Sequence, residues 1–214
     1  MIRMIDVTHL GHACFRLKGK NVTLLIDPYS QEETGLSFEK TTADAVLCTH
    51  KHADHHDLSR VSGYRVLIDA PGEYEVGGAQ ILGVPSFHDG KNGTERGVNI
   101  IYQVEIDGVT FVHLGDLGTK LDDGQISLLS SVEVLMIPVG GICTIDAATA
   151  TEVIAQLEPK IVIPMHYNVP GLKFTLDPLG KFLKGMEKED LKPQPKLSLS
   201  AGKLSEETQV VVLG

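Results

Sequence analysis

"THKHADHHD", residues 49–57, places four histidines and two aspartates within nine positions. His50 and His52 follow the apolar run "AVLCT" (45–49) one residue apart. In extended backbone alternate side chains share a face, so both imidazoles can reach one point. Asp54 and His55 come after a turn, in a loop expected to lead into a helix, where the pair can close around a second point. Imidazole and carboxylate together suit zinc, and equally manganese or iron. No single helical face would gather these four groups, so amphipathic packing does not explain the spacing.

Outward from this cluster, short Val- and Ile-rich runs bounded by Gly, Pro and Asp read as strands: 22–27, 45–49, 64–68, 80–84, 98–106, 109–114, 133–139, 160–165 and 209–213. Asp107-Gly108 marks a tight hairpin between two of them. Helices are fewer. "DAATATEVIAQLE" sets Ala150, Val153, Ile154 and Leu157 on one face before Pro159. Residues 177–186 form a second candidate and 122–131 a third. Strands dominate the first half, strand and helix alternate in the second, and the order suits sheets covered by helices, an α/β (α+β) class. The 214 residues, 42% apolar and 22% charged, are expected to form one domain spanning 1–214.

Acidic residues number 28 against 19 basic, a net charge of −9, so the summed field repels polyanions and nucleic acid is not an expected partner. The opening "MIRMIDVTHLGHACF" lacks a signal peptide's continuous apolar stretch, and no eighteen apolar residues run together to cross a membrane. Cys14, Cys48 and Cys143, widely spaced in apolar contexts, are expected to be buried reduced thiols, which implies a cytoplasmic setting.

"HKHADH" resembles the signature of the metallo-β-lactamase fold superfamily, an αββα sandwich of two mixed sheets flanked by helices with a metal site at one edge. "PSFHDG" with His88, "HLGDLG" with Asp116 and "IPMHYN" with His166 continue the resemblance in order, each after a strand-like run. "GHACF" and "PMHYN" are most similar to the subgroup containing the ascorbate-6-phosphate lactonase. The resemblance implies two divalent metal ions, zinc foremost and manganese or iron as alternatives. His50, His52 and His88 would hold one ion, Asp54, His55 and His166 the other, and Asp116 would bridge them. Asp54 would also orient the attacking hydroxide and shuttle its proton, Asp27 of "LLIDP" would support the ligands from behind, and His12 lies near the metal edge, with function and structure equally open. The implied activity is metal-dependent hydrolysis of a lactone, ester or phosphoester bond in a small substrate. Alternatives are a nuclease or phosphodiesterase, or a metal-binding module without catalysis. The superfamily's flavin-linked diiron enzymes carry Glu where His52 stands, and certain β-lactamases carry Cys at the position of Asp116; this chain has neither.

Other residues carry weaker signals. His56 and Asp57 read as a helix-start surface pair, with Asp57 orienting a bound imidazole as the other reading. His113 either faces the pocket or packs within a strand, His9 is read as structural, Cys48 as a buried thiol and Lys51 as solvent-facing. "APGEYEVGG" (70–78) reads as turns rather than a phosphate cradle. In "HDGKNGTERG" Lys91 and Arg96 either belong to a solvated loop or sit at the pocket mouth to recognise an anionic substrate; Asn168 is a further candidate for substrate contact.

Overall fold

The computed structural model describes residues 4–129 and 131–214, so Met1–Arg3, where the opening stretch begins, and Ser130, within the third helix candidate, lie outside the described residues. In chain order the elements are β1 (Ile5–Gly11), β2 (Cys14–Lys18), β3 (Thr23–Ile26), α1 (Gln31–Thr34), β4 (Thr41–Thr42), β5 (Ala45–Leu47), β6 (Val61–Ser62) and β7 (Val66–Ile68). There follow β8 (Gly72–Val76), β9 (Ala79–Phe87), β10 (Val98–Ile106), β11 (Val109–His113), α2 (Asp123–Leu128), β12 (Val134–Pro138), α3 (Ala147–Leu157), β13 (Ile161–Met165), α4 (Leu179–Gly185), β14 (Leu197–Leu199) and β15 (Gln209–Val210). One sheet runs β14-β1-β2-β3-β5-β7 and the other β15-β13-β12-β11-β10-β9-β8, both mixing parallel and antiparallel pairs, with β4 and β6 forming a separate ribbon.

The sandwich follows from side chains that alternate between two apolar environments. Ile100, Tyr102, Val104 and Ile106 of β10 enter the core between the sheets, whereas Ile101 faces the helix-covered side. Val134 and Met136 of β12 point inward, Leu135 and Ile137 outward. Strands buried on both faces need continuous rather than alternating apolar sequence, which is why these runs stand out. Asp107 and Gly108, at φ 49° and 81°, close the expected two-residue hairpin between β10 and β11.

Helix α3 is capped by Asp146, whose carboxylate accepts from the Thr149 N–H at 2.8 Å, and ends at Glu158 in the left-handed region before Pro159. Its Ala150, Val153 and Ile154 pack with Phe182 and Leu183 of α4 against the outer face of the seven-stranded sheet. The opposite outer face differs from the expected helical layer. There Leu25, Val46 and Cys48 are covered by Tyr29, Phe38 and Val61, carried on irregular chain, the one-turn α1 and the β4–β6 ribbon. The stretch expected to be turns at 70–78 contains strand β8, hydrogen-bonded to β9, with the turn confined to Gly77-Gly78.

Strands β3 and β5 are parallel, as are β11, β12 and β13, while β1 and β9 run in the same sense as β3 and β11 through two antiparallel steps. The loops after β1, β3, β5, β9, β11 and β13 therefore open on one edge of the sandwich. His12, Asp27, the 49–57 cluster, His88, Asp116 and His166 lie in those six loops.

Candidate metal centre

The loop after β5 runs through bends and turns from Thr49 to His55, so His50 and His52 converge by turning rather than by the extended alternation expected of them. The cluster does not lead directly into the expected helix but into coil and β6; the His55 N–H closes a turn onto the His52 carbonyl at 2.9 Å. Asp27, fully buried and strained at φ 51°, organises the loop from behind. Its carboxylate accepts from the Thr49 N–H (2.8 Å), the Thr49 hydroxyl (2.7 Å) and His55 Nδ1 (2.9 Å). With the hydroxyl proton committed to Asp27, Thr49 Oγ1 accepts from His50 Nδ1 at 3.0 Å. Both histidines thereby hold a proton on Nδ1 and turn Nε2 toward the cluster.

Asp116 stands at the centre. His88 Nε2 lies 3.1 Å, His166 Nε2 3.3 Å and His50 Nε2 3.9 Å from its Oδ2, and His55 Nε2 lies 3.2 Å from its Oδ1. The aspartate is reached through Gly115, at φ 57°, where a Cβ would fall 2.3 Å from Asn99 Oδ1. That oxygen accepts from the Asp116 N–H at 3.0 Å, while Asn99 Nδ2 donates to the Leu114 carbonyl and to Ser86 Oγ. Asn99 was not singled out from the sequence. Its signal was a buried amide near the start of "VNIIYQVEI", which carries a second amide at Gln103.

Three groups of potential ligands have donor atoms within 4.8 Å of one another: His50, His52 and His88; His50, His55 and Asp116; and His12, Asp54, His55 and His166. His50 Nε2, His55 Nε2 and Asp116 Oδ1 are buried with no hydrogen-bond partner among the described residues. Ligands about 2.0–2.2 Å from a shared cation stand about 3–3.6 Å apart, which matches most of the spacings around Asp116. The donor set therefore fits divalent metal, and the cluster is able to bind it.

Electrostatics agree with that use. Burial, helped by neighbouring charge on His55, pushes His50 down to about 3, and burial with His166 pushes His12 to about 3, so both imidazoles are neutral at ordinary pH. Burial opposes ionisation of Asp54 and Asp116. The His12 hydrogen bond and His55 nevertheless hold Asp54 below the usual carboxylate range, and His166 and His55 hold Asp116 well below it. Burial likewise opposes charge on His55, yet Asp116 and Asp27 together raise it well above an ordinary imidazole.

The cavity over this cluster is about 400 Å³ and is lined by His52, Asp54, Arg96, Cys143 and Phe174 among others. Arg96 reaches it because Asp89 cinches the 88–97 loop, accepting from the backbone N–H of Lys91, Gly93, Glu95 and Arg96 at 2.7–3.0 Å. Lys91 does not line the cavity; its ammonium pairs with Glu95 one turn away at 2.5 Å. Asn168, exposed beyond β13, does not line it either, being drawn aside by a bridge to Pro178. Cys143 is half-exposed in the cavity wall, contrary to the expected burial, whereas Cys14 and Cys48 are buried.

The remaining histidines are structural. His113 Nε2 donates to the Ala13 carbonyl and its Nδ1 accepts from the Gly115 N–H, leaving no atom for the pocket. His9 stacks on Phe15. His56 lies 3.7 Å from Asp69, which also pairs with the exposed Lys51, and Asp57 caps a turn by accepting from the Ser59 N–H. It is Asp27, not Asp57, that hydrogen-bonds an imidazole of the cluster.

Two mixed sheets face to face, with histidines and aspartates gathered at one edge, define the metallo-β-lactamase fold. Residues 6–166 match the family described as the β-lactamase superfamily domain. A UPF0173 metal-dependent hydrolase of Archaeoglobus fulgidus is 33% identical over 77% of this chain and 84% of its own, and one of Thermococcus kodakarensis is 30% identical over 77% and 85%. A crystal structure from Thermotoga maritima, proposed as a Zn-dependent hydrolase of the metallo-β-lactamase superfamily, is 37% identical, with a TM-score of 0.78 and 98% of each chain covered. The chain belongs to the UPF0173 metal-dependent hydrolase family of the metallo-β-lactamase superfamily.

Proposed function

We propose that this hydrolase cleaves a lactone, ester or phosphoester bond in a small substrate, phosphorylated ones included, at a two-ion centre. His50, His52 and His88 hold one ion, Asp54, His55 and His166 the other, and Asp116 stands between them. The observation that carries this reading is the Asp116 carboxylate with four imidazole Nε2 atoms at 3.1–3.9 Å around it. Bound divalent ions, zinc or else manganese or iron, supply a water whose pKa falls from about 15.7 toward about 7 and a positive field at the scissile centre.

The chain's residues do the rest. Asp54, partly exposed to the cavity, accepts the proton of the attacking water and orients it. Asp27 and Thr49 keep the His50 and His55 tautomers fixed as charge moves. Arg96 supplies the cationic contact for a carboxylate or phosphate, and Phe174 an apolar wall. A cavity of about 400 Å³ suits a small molecule, and the net charge of −9 disfavours a polyanion. The likeness of "GHACF" and "PMHYN" to the ascorbate-6-phosphate lactonase subgroup favours a phosphorylated small molecule or a lactone. We take the whole of 1–214 as one catalytic domain, and the unpaired Cys14, Cys48 and Cys143 as fitting a cytoplasmic setting.

A panel of lactones, esters, thioesters, phosphomonoesters and phosphodiesters, run with protein loaded separately with zinc, manganese and iron, tests the reading. Turnover of at least one small substrate is expected, lost in His50→Ala with the fold retained. Turnover only of single-stranded nucleic acid, or of nothing at full metallation, would contradict it.

A further inference from the structure

We propose that His12 is a direct ligand of the second ion, giving that position five protein donors and a preference for a six-coordinate cation such as Mn²⁺ or Fe²⁺; this rests on the two-ion reading above. The sequence left His12 between function and structure, near the metal edge. Its Nε2 lies 3.2 Å from Asp54 Oδ2, within the range of the His88, His55 and His166 distances to Asp116, and its side chain is fully buried. Among the described residues its Nδ1 has no hydrogen-bond partner, a condition it shares with His88 and His166. Its ring stands 4.2 Å from that of His166 and 5.0 Å from that of His55.

The backbone points the same way. His12 and His166 both occupy the left-handed region, at φ 54° and 52°, an unfavourable conformation for histidine, and the His166 N–H donates to the His12 carbonyl at 3.0 Å. The β1–β2 turn and the loop after β13 are thus locked together with both rings facing Asp54. His12, Asp54, His55 and His166 gather their donor atoms within 4.8 Å of one another, and Asp116, 3.2 Å from His55 and 3.3 Å from His166, is the fifth donor only as the residue standing between the ions in the two-ion reading. Zinc is at home with four ligands, whereas nitrogen and oxygen donors in this number match octahedral ions, leaving a sixth place for water or substrate.

Cobalt(II) titration with absorption spectroscopy tests the assignment. The wild-type protein is expected to take up two equivalents, the second with the weak visible bands of a five- or six-coordinate ion. His12→Asn, chosen because asparagine tolerates left-handed backbone, is expected to keep the fold, to bind that equivalent tenfold or more weakly and to intensify its bands toward those of a four-coordinate ion. Strong four-coordinate bands in the wild type, or a variant with unchanged bands and affinity, would overturn the proposal and leave His12 as a hydrogen-bond partner of Asp54. Uptake of a single equivalent by the wild type would instead overturn the two-ion reading beneath it.

Discussion

Asp27 touches no part of the cavity, yet the donor atoms of both His50 and His55 are set by its carboxylate. Replacing Asp27 by Asn alters the acceptor that holds His55 Nδ1–H, and changes of this kind behind metal ligands weaken binding about 10–100-fold. Chelator competition on Asp27→Asn is expected to show a loss in that range at the ion held by His55. The same residue helps keep His55 protonated before metal arrives, because Asp116 and Asp27 raise it well above an ordinary imidazole. An incoming ion must displace that proton, so affinity rises with pH until the raised pKa is passed. Calorimetry in buffers of different ionisation heat is expected to report about one proton released at neutral pH; zero release would mean His55 is already neutral. Gly115 is equally constrained, and Gly115→Ala, strained at φ 57° and crowded by Asn99, is expected to cost more than about 1 kcal/mol in urea unfolding.

Between strands, the 88–97 loop behaves as an element because one carboxylate organises it. The Arg96 and Lys91 N–H groups, with those of Glu95 and Gly93, lower Asp89 to about 2. A depressed folded pKa means this contribution is complete above the ordinary value of 3.8 and is lost as pH falls toward about 2. Amide exchange at Lys91, Gly93, Glu95 and Arg96 is accordingly expected to accelerate in Asp89→Ala at neutral pH. If Arg96 recognises an anion, that variant raises KM for anionic substrates more than it lowers kcat. Unchanged exchange would show the loop to be held by other contacts. This clamp was only half legible in the sequence. "HDGKNGTERG" was visibly a loop after His88, but turn chemistry alone does not reveal which loop side chain faces inward. Strands such as β12 and β13 were legible because burial on both faces demands unbroken apolar runs. Strand β8, with its glutamates and an exposed edge, carries no such run and was read as turns.

Across the whole molecule, the two sheets are tied directly behind the metal edge. Tyr102 of the seven-stranded sheet donates its hydroxyl to the Cys48 and Ile68 carbonyls, 3.1 and 3.0 Å away at the end of the six-stranded one. Tyr102→Phe removes this buried tie, with an expected loss of about 1–2 kcal/mol of stability by urea unfolding and no new cavity. The order of histidines and aspartates along the chain announced the fold and the side chains that its loops gather at one edge. What order could not announce was how six loops meet: that Asn99 steers Asp116, that Arg96 enters the cavity while Lys91 does not, and that His12 comes within 3.2 Å of Asp54. Those depend on the register of strands far apart in sequence. Crystals of the metal-loaded protein, measured at the absorption edge of the added metal, test the centre most directly. Two anomalous peaks about 3.5–4 Å apart are expected, one beside His50, His52 and His88 and the other beside Asp54, His55 and His166. A single peak, or peaks away from Asp116, would contradict the two-ion centre.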